Sequence, residues 1–451
     1  MHNKAGYLVG VLMFVFFQLC GQKQTKPLNV IVILADDLGW ADVGSGSSRI
    51  ETPHLDRLAD EGIKLSSFYS SATMCSPARA ALLTGRYPHS VGMPDLASPA
   101  PRNKVPVLAL DHHALTVPEA LKAHGYRTML AGKWHLGHDA RNWPGTHGFD
   151  EFQGSIIGTP GYYDVKETYY NETPVVVHKY FTDYITDKAT EFITRNQSHP
   201  FFLYLAYNAP HYPLEAPAEL VYKYRMRYPK DGLFAIYAAM VERMDHGIGR
   251  IMGSLDSLGI SDNTLIIFTS DNGPSAEPRS YGLPGARISA GPLRDHKYST
   301  HEGGIRVPFI ARWPGKIPAG TVRQEPVIMM DLMPTILDAC GIAHDDGDVD
   351  GISILPLLHN KSFKNDRTLH WEDQYNLAVR RGVWKVVRQF YNDAPRLYNI
   401  VDDPGEQKDL SDKHPQIVSQ LLSSHDTWRK ESYPNPIPRT ERRSEYIFPA
   451  N

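Results

Sequence analysis

Residues 29–37, NVIVILADD, constrain the fold more than any other stretch of the chain. A run this apolar, with no polar alternate, suits a strand covered on both faces, which is a central position in a parallel sheet. A strand with one wet face would alternate instead. The run closes on Asp36 and Asp37. NTLIIFTSDNG (263–273) repeats the design and closes on Asp271 and Asn272. PFFLYLAYNAPHYPLEAP (200–217) is a third buried strand, followed by His211 in a Pro-bracketed loop. YRTMLA (126–131) is strand-like, and Lys133 and His135 follow it. In open α/β sheets ligands gather at the carboxyl ends of strands, where all of these polar residues fall.

Helical patterns separate the runs. TPHLDRLADEG (52–62), VPEALKAH (117–124), YFTDYITDKATEFI (180–193), the long 232–259 segment and DLMPTILDACGI (331–342) have apolar spacing of three and four. Beyond residue 363 the pattern alternates like antiparallel strands and ends in an amphipathic helix from about 415. The expected fold class is therefore α/β: a large, mostly parallel sheet flanked by helices, with a smaller C-terminal α+β domain carrying an antiparallel sheet. The expected division is 1–21, 22–362 and 363–451. A chain of 451 residues exceeds one ordinary core, which agrees with such a division.

The first segment reads as a signal peptide. His2 and Lys4 precede a nearly wholly apolar run from Tyr7 to Leu19, too short to span a bilayer as a helix. The expected destination is outside the cytoplasm, periplasmic or at the cell surface. Membrane attachment is expected only through a lipid anchor at Cys20. With Cys75 and Cys340 the only other cysteines, no disulfide framework is implied. Net charge is −3, so nothing drives the whole chain toward nucleic acid, and anion binding must be local. Asn171, Asn196 and Asn360 head N-x-Ser/Thr sequons.

TMCSPARAALLTG (73–85) reads as a short helix, with Ser76 at the N-cap, Pro77 at the first turn and Gly85 as the stop. Cys75 then faces the free amides of the first turn, with Arg79 one turn on. Three readings stay open from this alone: a reactive thiol, a metal ligand, or a packed cysteine. Asp36 and Asp37 alone read as an acidic turn. Joined by Asp271 and Asn272 they read as oxygen donors for a cation, Ca²⁺ first and Mg²⁺ second, because hard oxygens disfavour transition metals.

Cys75-x-Pro77-x-Arg79 followed by Leu83-Thr84-Gly85 resembles the signature of the type I, formylglycine-dependent sulfatases of the alkaline-phosphatase superfamily. GYRTMLAGKWHLG (125–137) resembles that family's second signature, and Lys297 precedes EGGIRVP as the family's second active-site lysine does. The resemblance covers residues 28–430. It implies that Cys75 is converted to 3-oxoalanine (formylglycine) by a formylglycine-generating or radical maturation enzyme. It implies a metal held by Asp36, Asp37, Asp271, Asn272 and the modified Cys75. Arg79, Lys133 and Lys297 are then expected on the sulfate oxygens. Asp271 would take the nucleophile's proton, His211 serve the leaving alcohol, and His135 act as the base that releases sulfate. Thr73 stands where the family usually has a smaller residue. Asp295 and His296 stand where it has small residues before the lysine, and His301 follows.

The expected activity is hydrolysis of sulfate esters. The aromatic and His-rich loops 86–115, 138–170, 275–301 and 372–396 suit a sulfated saccharide, as on a bacterial exported carbohydrate sulfatase. Two other readings compete: a phosphodiesterase or phosphonate hydrolase of the same superfamily, and a non-catalytic protein that binds sulfated glycans.

Overall fold

The computed structural model describes residues 26–44, 49–101, 105–165, 167–275, 291–345, 347–433, 436 and 439. The leader, Cys20 and most of the 275–290 loop lie outside the described residues. Asn29–Ala35 is a fully buried strand. It pairs in parallel with Phe201–Ala206 on one side and Thr264–Ser270 on the other, Val32 lying between Tyr204 and Ile267. Arg127–Lys133 and Glu151–Ser155 continue the parallel run beyond Phe201–Ala206. Lys133 is the last residue of its strand, not a residue beyond it.

Both faces of the central strand are dry, as its composition requires. Val30, Val32 and Leu34 enter one core, with Ala78 and Leu82 of the Cys75–Thr84 helix and Leu332 and Ile336 of the Leu332–Ala339 helix. Ile31, Ile33 and Ala35 enter the other, with Phe181 and Ile185 of the Phe181–Arg195 helix and Met244 and Ile248 of the Gly232–Ser257 helix. Alternate residues reach opposite layers, so each must be apolar. Antiparallel and short strands then extend both edges, to ten strands among the described residues. Phe309–Arg312 runs antiparallel to Thr264–Ser270.

Leu369–Glu372, Asn376–Arg381, Trp384–Gln389 and Arg396–Asn399 form a second, wholly antiparallel sheet. Leu377, Val379 and Val386 pack on Val418 and Leu421 of the Pro415–Ser432 helix. Trp371, Ala378 and Tyr398 face the other way, onto Tyr69, Ala81 and Ile305. The smaller sheet is therefore cemented against the strand and helix that flank Cys75. No helix among the described residues is long and apolar enough to cross a membrane.

The motif helix starts earlier than its capping chemistry suggests. It runs Cys75–Thr84 with extended Met74 at the N-cap (φ −146°). The Ser76 hydroxyl accepts from the Ala97 amide at 3.1 Å, so it is drawn off to a neighbouring loop. Cys75 is thus the first helical residue rather than the one before the helix. Gly85 ends the helix as expected, with φ +65° and its amide on Ala81 O at 3.0 Å. Cys340 lies half-buried at the end of the Leu332–Ala339 helix, against the core.

Candidate active site

Four parallel strands deliver the residues at and after their carboxyl ends to one place. The turn after Asn29–Ala35 puts Asp37 in the left-handed region (φ +66°), a conformation aspartate tolerates better than most residues. Its amide donates to Asp271 Oδ1 at 3.2 Å, and the next amide, of Leu38, donates to Ser270 Oγ at 3.0 Å. The ends of two adjacent strands are thereby locked together. Asp36, Asp37, Asp271 and Asn272 are all buried.

Three cations fold onto these carboxylates. Arg79 Nε and Nη2 donate to Asp271 Oδ2 at 3.1 and 2.8 Å, and Nη1 donates to Lys133 O at 3.1 Å. Lys133 Nζ pairs with Asp36, and Lys297 Nζ lies 2.9 Å from Asp37. Arg79 is fully buried and its fork is committed to protein acceptors. The two bonds to Asp271 Oδ2 hold that carboxylate against the guanidinium.

The thiol and two imidazoles complete the cluster. Cys75 Sγ is 3.4 Å from His135 Nδ1. His211 Nδ1 faces the Tyr212 carbonyl, which only accepts, so Nδ1 carries a proton. The other ring nitrogen, Nε2, lies 3.1 Å from Lys297 Nζ and 3.5 Å from Asp37 Oδ2. Burial, then Lys133 and Arg79, depress His135 well below the usual histidine range. His211 is lowered by burial and then by Lys297. Burial pushes the Cys75 thiol up, against the pull of Lys133, so the unmodified side chain is a protonated and weak nucleophile. Burial alone would raise Asp36, but Lys133, His211 and Arg79 outweigh it and hold its carboxyl well below the usual range. Asp271 is raised to about 7 by burial and by Asp36.

The donor set fits a hard cation. Asp36, Cys75 and Asp271 present ligand atoms within 4.8 Å of one another. Asp36 Oδ1 and Asn272 Oδ1 are buried with no hydrogen-bond partner, an expensive condition unless a cation or water takes their lone pairs. Asn272 Nδ2 donates to Asp37 Oδ1 at 2.6 Å, which turns the amide oxygen away from that carboxylate.

All the site residues expected from sequence therefore come together: Asp36, Asp37, Cys75, Arg79, Lys133, His135, His211, Asp271, Asn272 and Lys297. Sequence reasoning missed their supports. A Cβ on Gly158 would lie 2.5 Å from the His135 ring, so that position must be glycine for the ring to sit where it does. Tyr162 OH donates toward the Asn208 and His211 carbonyls at 2.7 and 2.9 Å and fixes the His211 loop. The only local signal for either was an aromatic, Gly-rich loop, GTPGYYDV.

The sulfatase family model matches residues 28–342. The chain belongs to the sulfatase family. A second family model, the C-terminal part of N-sulphoglucosamine sulphohydrolase, matches 294–431 of this sulfatase. The sulfatase is 36% identical over 387 residues to N-acetylgalactosamine-6-sulfatase of Canis lupus familiaris, covering 80% of this chain and 71% of that one. It is 29% identical over 542 residues to steryl-sulfatase of Mus musculus, covering 91% and 83%. Among solved structures it resembles Ps i-CgsB in complex with k-i-k-neocarrahexaose, with a TM-score of 0.82 and 32% identity over 92% of this chain and 95% of that one. The protein is accordingly a sulfuric ester hydrolase, of a family that typically uses formylglycine.

Proposed function

We propose that this sulfatase desulfates a saccharide, using formylglycine made from Cys75 beside a bound Ca²⁺. The observation that carries the reading is the convergence at Cys75 of two orphaned oxygens, three carboxylates and three buried cations. The saccharide is favoured over a steroid because the sugar-sulfatase relative is 36% identical and the steryl-sulfatase 29%. Ps i-CgsB, crystallised with a neocarrahexaose, agrees.

Asp36, Asp37, Asp271 and Asn272 would hold the cation. When present, the hydrated aldehyde supplies a paired-hydroxyl nucleophile and the cation supplies Lewis acidity beside it. The remaining work falls to the chain's own side chains. Lys133 and Lys297 hold the non-bridging oxygens of the sulfate, where their charge counts most in a dry site. Arg79 fixes the carboxylate of Asp271, which takes a proton from side chain 75. His211 Nε2 relays a proton from the Lys297 ammonium, 3.1 Å away, to the departing alcohol. His135, beside side chain 75, withdraws the second proton that frees sulfate. A formylglycine-generating or radical maturation enzyme is the required partner. The apolar leader sends the protein beyond the cytoplasm, and Cys20 is its only lipid-anchor position.

The test is sulfate release from a panel of sulfated mono- and oligosaccharides, steryl sulfate and 4-nitrophenyl sulfate, with protein co-expressed with a maturation enzyme. The reading expects a saccharide to be turned over best. Preference for steryl sulfate, with no saccharide desulfated, overturns the substrate assignment.

A further inference from the structure

Thr73, where the family usually has a smaller residue, is engaged in a closed circuit of hydrogen bonds. Its hydroxyl donates to Asp373 Oδ2 at 2.9 Å, across 300 residues of sequence. Asn376 Nδ2 reaches Asp373 Oδ1 and Oδ2 at 3.1 and 3.2 Å and donates to Tyr298 O at 3.0 Å. The Tyr298 amide returns to Thr73 O at 3.0 Å. Thr73, Asp373, Asn376 and Tyr298 thus form a ring. Cys75 stands two residues beyond one member and Lys297 one residue before another.

Asp373 is the hub of this ring. It is buried, and its Oδ1 also accepts the Tyr375 and Asn376 amides at 2.8 and 2.7 Å. Those bonds fasten it to the hairpin between Leu369–Glu372 and Asn376–Arg381, so it does not follow either active-site loop. Tyr391 OH donates to the Asp373 carbonyl at 2.9 Å and braces the same hairpin. Tyr298 sits at φ +70°, an uncommon conformation for tyrosine. Its amide and its carbonyl both belong to the ring, which holds the turn after Lys297 in that shape.

We propose that Asp373 is a positioning residue of the sulfatase reaction: through Thr73 and Asn376 it sets the spacing between Cys75 and Lys297. This rests on the roles proposed above for those two residues. Both carboxylate oxygens of Asp373 are taken up by Thr73, Tyr375 and Asn376, so it acts through these neighbours. The C-terminal antiparallel sheet is thereby part of the catalytic apparatus, since it aligns nucleophile against leaving-group assistance. Rate depends steeply on such alignment, and a displacement near 1 Å costs about 100-fold.

The test uses matured full-length protein and aryl sulfates of graded leaving ability, from 4-nitrophenyl sulfate to 4-methoxyphenyl sulfate. A good leaving group needs little help from Lys297 and His211; a poor one needs much. Asp373→Asn and Thr73→Val are compared with wild type, with aldehyde content at position 75 measured by mass spectrometry and folding by thermal melts. Thr73→Val removes only the hydroxyl and leaves the Cys75–Arg79 pattern intact. Expected for both variants is a kcat loss of about 100-fold on the 4-methoxyphenyl ester and under about 5-fold on the 4-nitrophenyl ester. KM and aldehyde content stay near wild type. Equal losses on both esters, no loss on either, or a loss fully explained by lower aldehyde content overturns the proposal. If wild type releases sulfate from no aryl ester and from no saccharide, the reading of the site itself falls; if it acts on a saccharide alone, that poor alcohol leaving group takes the place of the 4-methoxyphenyl ester and the same loss of about 100-fold is expected. If wild type is active and both variants match it on every ester, only the role of Asp373 falls.

Discussion

Two buried charge clusters in this molecule are alike in most respects and differ in one. In the first, Glu302, Lys385 and Glu406 join the smaller sheet to the larger. Lys385 Nζ lies 2.8 Å from Glu302 Oε1 and 3.0 Å from Glu406 Oε1. Tyr69 OH donates to Glu302 Oε2 at 2.6 Å, and the Glu302 amide donates to Glu406 Oε2 at 2.6 Å. Three of the four carboxylate oxygens accept a hydrogen bond, and the fourth, Glu406 Oε1, accepts none but lies 3.0 Å from the Lys385 ammonium. In the second, Asp36, Asp37 and Asp271 face Arg79, Lys133 and Lys297, yet Asp36 Oδ1 and Asn272 Oδ1 accept no hydrogen bond. Burial and ion pairing are common to both. What marks the active cluster is that its unbonded oxygens, a carboxylate and an amide from adjacent strand ends, stand beside a thiol and two imidazoles.

The contrast can be broken in order of effect on turnover. Cys75→Ala removes the position that carries the aldehyde. It should lower kcat by at least about 10⁴-fold in steady-state assays while shifting stability by no more than about 1 kcal/mol. Arg79→Lys keeps the charge but loses the fork. We expect kcat/KM to fall about 10³-fold and unfolding free energy by about 3–5 kcal/mol in denaturant titrations, because Asp271 loses its bidentate partner in a dry site. Stripping the protein with EGTA should cost about 100-fold in activity and lower Tm, and added Ca²⁺ should restore both; at a free Ca²⁺ of 100 Kd the stabilisation is about 2.7 kcal/mol. Unchanged activity and Tm after exhaustive chelation would remove the cation from the account. Gly158→Ala should lower kcat about 10-fold by displacing His135, with little change in KM. Lys385→Met inverts the pattern. It takes the ammonium away from two buried glutamates, leaving Glu302 with Arg306 at 3.4 Å, and should cost about 3–5 kcal/mol of stability, with kcat/KM of the folded protein within about twofold of wild type. A large catalytic loss there, with stability intact, would erase the distinction between the clusters.

The large sheet was legible because a strand buried on both faces has no freedom in composition: NVIVILA and TLIIFTS could sit almost nowhere else. The ends of those strands were legible for the same reason, since polar pairs after apolar runs stand out. The edges were not. Ile63–Leu65 and Thr321–Arg323 are too short to show a period, and only their neighbours make them strands. The start of the motif helix was misplaced because Ser76 is bonded to Ala97, a partner that local capping rules do not contain. The commitment of Arg79 to Asp271, and of Thr73 to Asp373, joins residues 192 and 300 positions apart. One sequence carries no local trace of such pairings. Gly158 belongs to the same class: its requirement comes from the ring of His135, not from a turn.

The central claim is that turnover belongs to an aldehyde at position 75. It is tested most directly by preparing the protein with graded amounts of maturation enzyme and measuring two quantities on each sample. One is the fraction of Cys75 peptide that is about 18 Da lighter than the thiol; the other is kcat on one sulfate ester. The account predicts that kcat rises in proportion to the aldehyde fraction and extrapolates to zero where all of Cys75 remains a thiol. Full activity in protein whose Cys75 is wholly unmodified would contradict it.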